Sequence, residues 1–313
     1  MDFKHYYYKI FCVMQWNIGF ARYDIKDIVN DRRKELKFKW LPLHKNVNSF
    51  ADPFIFRSAD QKLNLVYEEF SMIDPRRHGK ILATVLDEDF TPQSNAEILV
   101  SNIHSSYPCV FIDNNITYII PETSKKGKVS CYQYDEVNQS LINERVIINL
   151  PLLDSTIFKH NDKYWLFATL ADHQFDHSKL YIYYANSLFG TYVPHVKNPV
   201  KVGLNGTRPA GNFFIIDGEI YRPAQNCKDY YGKSLTINKV KKLNEYEFSE
   251  EAGLELTAKK NCAFNKGLHT INVLEDVIVV DGIKMIFRPF KKWQLFFQKK
   301  FKRKDSSIIN IKT

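Results

Sequence analysis

Asp52, Tyr107, Asp154, Arg208 and His269 recur at roughly 50-residue intervals, each just ahead of an apolar run. A second set, Glu69, Glu122, Ala168 and Gln225, falls four residues past the aligned Leu65, Tyr118, Tyr164 and Tyr221. Carboxylates, a guanidinium, an imidazole and an amide drawn into one concave mouth suit a sugar, which offers hydroxyls to charged acceptors and an apolar face to aromatics. Glycosyl transfer with inversion needs one carboxylate to activate an acceptor oxygen, and an acid or a cation to help the leaving group. Each residue also has a plainer use. Asp52 precedes Pro53, a common turn start; Asp154 suits a turn cap and His269 a satisfied core position. Glu68 and Glu69 are adjacent and point to opposite faces, so only one of them reaches a common mouth. Placement at repeat-equivalent positions is what lifts the set above these local roles.

The elements that position them are hairpins. TRPAGNFFIIDGEIYRPAQNC, Thr207 to Cys227, reads as a strand over Asn212–Ile216, an Asp217-Gly218 turn and a strand from Glu219 to Tyr221. Asp-Gly between apolar runs is a hairpin signal because the turn needs positive φ. Arg208 lies at one end, and Arg222, Gln225 and Asn226 at the other. The unit recurs at Ala51–Glu69, Ser106–Glu122 and Leu153–Thr169, with a weaker copy at Leu268–Gly282. A third strand follows each of the first four copies, at GKILATV, GKVSCYQY, SKLYIYYA and GKSLTIN. Outer strands fit AEILV, ERVIINL, TYVPH and YEFSE. Self-similar four-strand units that cannot bury their own faces are propeller blades. The expectation is an all-β, five-bladed β-propeller over 1–289, with blade cores near 51–85, 106–134, 153–185, 207–238 and 268–287. The strand at 14–22 completes the last blade or covers the base, and Asp24–Lys37 holds a short helix or a charged loop.

Composition narrows the function classes. Hydrophobic residues at 44% and charged residues at 25% are ordinary for a globular chain, and 23 Phe with 18 Tyr suit sheet surfaces. Five cysteines without CxxC spacing suggest neither a disulfide framework nor a zinc site, and a cytoplasmic setting is expected. The net charge of +9 is concentrated: seven basic residues and no acidic one lie in 291–304, which leaves the body at about +2. No nucleic acid polymer is therefore expected as a partner. Phe290, Trp293, Phe297 and Phe301 recur at helical spacing among the lysines of a 290–313 tail. That pattern fits a short basic amphipathic C-terminal helix, either on an anionic membrane surface through 290–304 or packed on the propeller. No cofactor is implied, and ADHQFDH, with His173 and His177, reads as a solvated loop rather than a metal pair.

SFADPFIF with VYEEF, SYPCVF with IPE, LDSTIF with YWLFA, and NGTRPAGNFF with YRPAQNC resemble the glucosamine inositolphosphorylceramide transferase N-terminal-domain family. QWNIGFAR, FKWLP, GLHTIN and VVDG extend the likeness over Gln15 to Gly282. In plants that domain accompanies a separate glycosyltransferase domain; bacterial relatives stand alone or sit beside other sugar-modifying domains. The architecture is more distantly similar to five-bladed arabinanase and xylosidase hydrolases, in which a first-blade Asp is the base and a third-blade Asp tunes a fourth-blade Glu acid. Asp52 and Asp154 match the first two by repeat position. Arg208 stands where the acid would be, and a guanidinium remains protonated.

The expected function is glycosyl transfer, transferase- or phosphorylase-like, in surface polysaccharide or glycolipid biosynthesis. The substrate would be a sugar or glycan with a phosphorylated or nucleotide-activated donor. Catalytic candidates are Asp52, Asp154, Glu122 and Glu69; substrate-binding candidates are Tyr107, Arg208, Arg222, Gln225, Asn226 and His269. An inverting hydrolase with Asp52 as base, or a glycan-binding module without turnover, would use the same mouth.

Overall fold

The computed structural model describes residues 10–31, 36–43, 48–71, 78–171, 178–259 and 261–290. The proposed tail helix and the ADHQFDH histidines lie outside those residues, apart from Phe290 at the edge of the tail. Five antiparallel sheets make the five-bladed propeller. Blade 1 runs through Asn48–Arg57, Leu63–Ser71, Lys80–Leu86 and Ala96–Leu99. Blade 2 comprises Ser106–Asp113, Ile116–Glu122, Val129–Asp135 and Ser140–Ile148. Blade 3 has Leu152–His160, Lys163–Leu170 and Lys179–Ala185, edged by Val193–Pro194 and Lys201–Val202.

Blade 4 departs from the pattern because its inner strand is broken. Asn205–Pro209 and Phe214–Ile216 both pair with Glu219–Asn226, followed by Ser234–Leu243 and Phe248–Thr257. Blade 5 closes the ring: Leu268–Leu274 and Val277–Phe287 are joined by Cys12–Arg22 and Lys39–Trp40. The strand Cys12–Arg22 pairs with Val277–Phe287 along its whole length. A short helix, Ile25–Asn30, follows it, with the Asp24 side chain accepting from Lys26 N at 2.8 Å. No helix of the described residues is long and apolar enough to cross a membrane.

The hairpins form for local reasons. Asn114-Asn115, Asn161-Asp162 and Asp217-Gly218 all carry positive φ at both turn positions, the twist-matched two-residue geometry that Asn, Asp and Gly adopt at least cost. Blades then bury facing surfaces through aromatic pairs, such as Phe54–Tyr107 between blades 1 and 2 and Phe158–Phe213 between blades 3 and 4. Full burial of such a side chain contributes about 1.5–3 kcal/mol, as for Phe54; Phe158 and Phe213, half-buried, gain less.

A bulge interrupts the start of the inner strand in every blade, between Ala51/Phe54, Ser106/Cys109, Leu153/Thr156, Asn205/Pro209 and Leu268/Ile271. Asp52, Tyr107 and Asp154 sit in three of these with φ of 52, 39 and 51°. A bulge re-aims one side chain out of the pleat, so a repeated bulge supplies a ring of re-aimed side chains. Beneath them the axis is filled rather than open. Asn212 donates to Val110 O of blade 2, and its own N–H goes to Asn272 Oδ1 of blade 5. Asn272 reaches Pro53 O of blade 1. Gly211 is needed here: its φ is 129°, and a Cβ would lie 1.9 Å from Ile271 O.

Candidate functional site at the propeller axis

At the bulge level, the buried amides of blades 1, 2 and 3 are each held by a carboxylate of the preceding blade around the ring, and those of blade 5 by its own Asp281. Asp281 accepts from the backbone N–H groups of Asp52, His269 and Thr270 at 2.9, 3.0 and 2.9 Å. Asp52 accepts from Tyr107 N at 3.1 Å, and Glu122 from Asp154 N at 3.1 Å. The carboxylates therefore answer the unpaired donors that the bulges create, which is why acids recur there.

Side-chain contacts then link the blades across the axis. Arg208 forks onto Asp154, with Nη2 to Oδ1 at 3.0 Å, and lies 3.9 Å from Glu122. Gln225 donates to Asp154 Oδ2 at 3.1 Å. Thr270 Oγ1 donates to Asp52 Oδ1 at 2.8 Å, and His269 Nε2 is 3.6 Å from the same oxygen. His269 Nδ1 is 2.5 Å from Asp281. Two aromatic rings flank this corner: Trp16 lies 4.1 Å and Tyr231 5.3 Å from the His269 ring, and Tyr231 also covers Arg208.

Asp52, Asp154, Arg208, Glu122 and His269 thus meet in one buried cluster, with Gln225 beside them. Three other candidates lie elsewhere. Glu69 bonds Asn48 and Lys80 at the side of blade 1. Arg222 pairs with Glu250 at 2.8 Å inside blade 4, and Asn226 with Glu255 at 3.0 Å. Strand alternation explains both blade 4 placements, since Arg222 and Asn226 share one face and Gln225 takes the other. Tyr107 is at the axis, but its hydroxyl is spent below the mouth on Thr156 and Gly211 N at 2.8 and 2.7 Å.

Two acids of the cluster are new. Glu68 takes the place assigned to Glu69, because Asn64, not Leu65, is the residue equivalent to Tyr118. Asn64 faces Phe56 as Tyr118 faces Phe111. A one-residue shift in a strand exchanges faces. The same correction replaces Ala168 with Thr169, since Trp165 faces Phe158. Asp281 was overlooked because the fifth copy carries no Tyr or Trp marker.

Burial and crowding set the protonation. Asp52, Glu68, Glu122, Asp154 and Asp281 share Arg208 and His269 as the cations of the cluster. Burial, with Asp281 and Asp154 nearby, outweighs His269 and pushes Asp52 up to about 6. Burial and Asp154 push Glu122 up to about 8 against the pull of Arg208. Glu68 is pushed well above the usual range by burial and by Asp52 and Glu122. Its Oε1 is 3.3 Å from His104 Nε2 but has no hydrogen-bond partner among the described residues. Burial opposes charge on His269, but Asp281 and Asp52 raise it overall. At neutral pH the site therefore offers a protonated carboxyl on blade 2 and an ionised one on blade 1, the separation that acid–base chemistry requires. Asp52, His269 and Asp281 also bring ligand-type atoms within 4.8 Å of one another, a set able to hold a cation, although their donors and acceptors are matched among themselves.

Residues 43–275 match the family described as glucosamine inositolphosphorylceramide transferase 1, N-terminal. The chain is 35% identical over 210 residues to glucosamine inositolphosphorylceramide transferase 1 of Arabidopsis thaliana, covering 65% of this chain and 27% of that protein. It spans less than a third of the length of the curated relatives it matches. Among solved structures, it is similar to the catalytic domain of a family 62 α-L-arabinofuranosidase of Coprinopsis cinerea, with a TM-score of 0.57, 10% identity and coverage of 75% and 81%. A family 117 glycoside hydrolase of Zobellia galactanivorans gives 0.55 at 12% identity, over 88% and 91% of the two chains. These likenesses show the fold.

Proposed function

The chain belongs to the glucosamine inositolphosphorylceramide transferase N-terminal family, and from that footing we propose that it transfers a sugar from an activated, anionic donor at the propeller axis. The carrying observation is that raised acids and cations occupy one buried cluster: Asp52 and Glu122, pushed up by burial, lie beside His269 and the Asp154–Arg208 fork. In this reading Asp52 activates the acceptor hydroxyl. Asp154, itself held by Gln225, holds Arg208, and Arg208 with His269 steadies the negative charge that develops on the leaving group. Tyr231 and Trp16 offer apolar faces beside that charge. The context is synthesis of a surface polysaccharide or glycolipid in the cytoplasm, with the basic 290–304 stretch as contact to an anionic membrane surface. Support comes from the family's name, from the carbohydrate-active fold neighbours and from the site itself.

A second reading, an inverting hydrolase, draws support from Glu122, a neutral carboxyl of the kind that protonates a leaving oxygen. Incubation with sugar phosphates, nucleotide sugars and aryl glycosides decides. Transfer predicts loss of donor only with an acceptor or phosphate present, and Asp52→Asn lowers the rate by about 10²–10⁴-fold. Release of reducing sugar with water alone selects the hydrolase. Glycan affinity without turnover of any donor overturns both.

A further inference from the structure

The two ends of this propeller differ in charge and in apolar exposure. The second strand of each blade runs toward the end where the axial cluster lies, so second-to-third-strand connections gather there. Among the described residues, the connections at that end carry Lys125, Lys126, Lys128, Lys228, Lys233 and Lys266 against Asp229. The opposite end carries Asp60, Asp87, Asp89, Glu136, Asp162 and Asp217 in its turns against Lys62, besides Glu88, Glu275 and Asp276, which pair with Arg22 and Arg57. The near-balanced body charge conceals this polarity because the two ends cancel.

Blade 5 adds a projection on the basic side. Its second strand does not stop at the axial level, marked by Asp281 and Gly282, but continues through Phe287, paired with Cys12–Trp16. Five residues beyond Gly282 extend about 17 Å at strand rise. The tip of this ribbon is apolar and basic together. Ile10 is 44%, Phe287 57% and Phe290 88% exposed. Phe11 packs on Phe287 with centroids 6.3 Å apart, and Arg288 N bonds Phe11 O at 2.9 Å. Lys284 and Arg288 are exposed beside them. Among the described residues, the phenylalanines more than half exposed are both here. The sequence adjoining the tip continues the theme, with FKHYYYK before it and KKWQLFFQKKFKRK after it.

We propose that this ribbon tip is a docking surface for an anionic bilayer, and that it turns the axial mouth toward the membrane. Exposed aromatics in a basic setting suit the headgroup region, where rings enter the acyl boundary and lysines meet lipid phosphates. A soluble polyanion would leave the phenylalanines in water. The acidic end is repelled by the same surface, so charge and apolar contact select one orientation. The inference rests on the membrane contact proposed above and supplies its geometry.

Sedimentation of the full chain with vesicles of phosphatidylcholine, with and without phosphatidylserine, tests it. Binding is expected to require phosphatidylserine, to weaken with salt, and to fall about tenfold or more in Phe287→Ser/Phe290→Ser. Unchanged binding by that variant, or capture on heparin without vesicle binding, overturns the proposal. Orientation is read by energy transfer to labelled lipid from a fluorophore at Lys228→Cys or Asn161→Cys, with Cys227 and Cys262 replaced by serine. Stronger transfer is expected from position 228; equal or stronger transfer from 161 overturns it. Donor turnover is assayed separately on soluble substrates, so loss of docking and loss of the enzymatic reading are distinguishable.

Discussion

Blade 4 buries two arginines, Arg208 at 8% and Arg222 at 1% exposure, and their surroundings are opposites. Arg222 lies within the blade, shared by Glu250 and the carbonyls of Gly206 and Thr207, and Lys201 also reaches Glu250 at 2.6 Å. Burial pushes the Glu250 carboxyl up, but Arg222 and Lys201 more than reverse it, and it ends below the ordinary value. Cations dominate, and the network is closed on itself. Arg208 faces the axis, where acids dominate, and burial wins at Asp52, Glu68 and Glu122. Two buried guanidiniums of one blade therefore do different work: one completes the sheet, and the other sits among a surplus of carboxyl groups and opposes the upward push on Glu122.

The sharpest way to break this contrast is to remove each cation. Arg222→Met strands two carbonyls and leaves Glu250 to Lys201 alone, and should cost about 3 kcal/mol in denaturant unfolding, nearly independent of pH above 6. Arg208→Met leaves acids that respond by binding protons, so its cost should be smaller at pH 5 and grow toward pH 8. Equal pH profiles for the two variants would erase the distinction.

A smaller effect sharpens it. Glu122 in the folded chain titrates near 8 rather than 4.5. Between those values the folded state keeps a proton that the unfolded state has lost, so stability falls as pH rises through the window. The slope is at most about 1.4 kcal/mol per pH unit for one proton. Glu122→Gln should flatten it, and a slope that persists in the variant assigns the proton elsewhere. The smallest effect separates neighbours on one strand: Glu69→Gln should leave turnover and stability almost unchanged, within about 0.5 kcal/mol. Glu68→Gln should raise stability above pH 7 by removing an unsatisfied buried acid. The reverse order would restore Glu69 to the site.

The fold was legible because its turns are chemically explicit. Asn114-Asn115, Asn161-Asp162 and Asp217-Gly218 mark hairpins, and each follows an apolar run, VFI, TIF and FFII, within two residues. Asp52, Asp154, Arg208 and His269 were legible as well, since a bulge repeated in every blade preserves their spacing. Face assignment was less so. Asn64 fills the slot that Tyr118 and Trp165 hold in other blades, and the missing aromatic shifted the count by one, exchanging Glu68 for Glu69. Counting from Phe56 across the turn would have found it. Asp281 sits in a copy whose turn, Glu275-Asp276, lacks glycine and asparagine. Arg222 carried the right chemistry on the wrong face, as alternation against Gln225 requires and its pairing with Glu250 on the outermost strand bears out. Trp16 and Tyr231 lie outside the hairpins altogether and reach His269 by tertiary packing.

The zipper between Cys12–Arg22 and Val277–Phe287 has a temporal consequence. Translation makes the first of these strands long before its partner exists, and synthesis proceeds at about 5–20 residues per second. Until the last hairpin emerges, Asp52 has no Thr270, no His269 and no Asp281 to hold it. A ribosome-bound chain that already contains four blades thus lacks these partners, and the axial cluster comes into being at the moment the circle shuts.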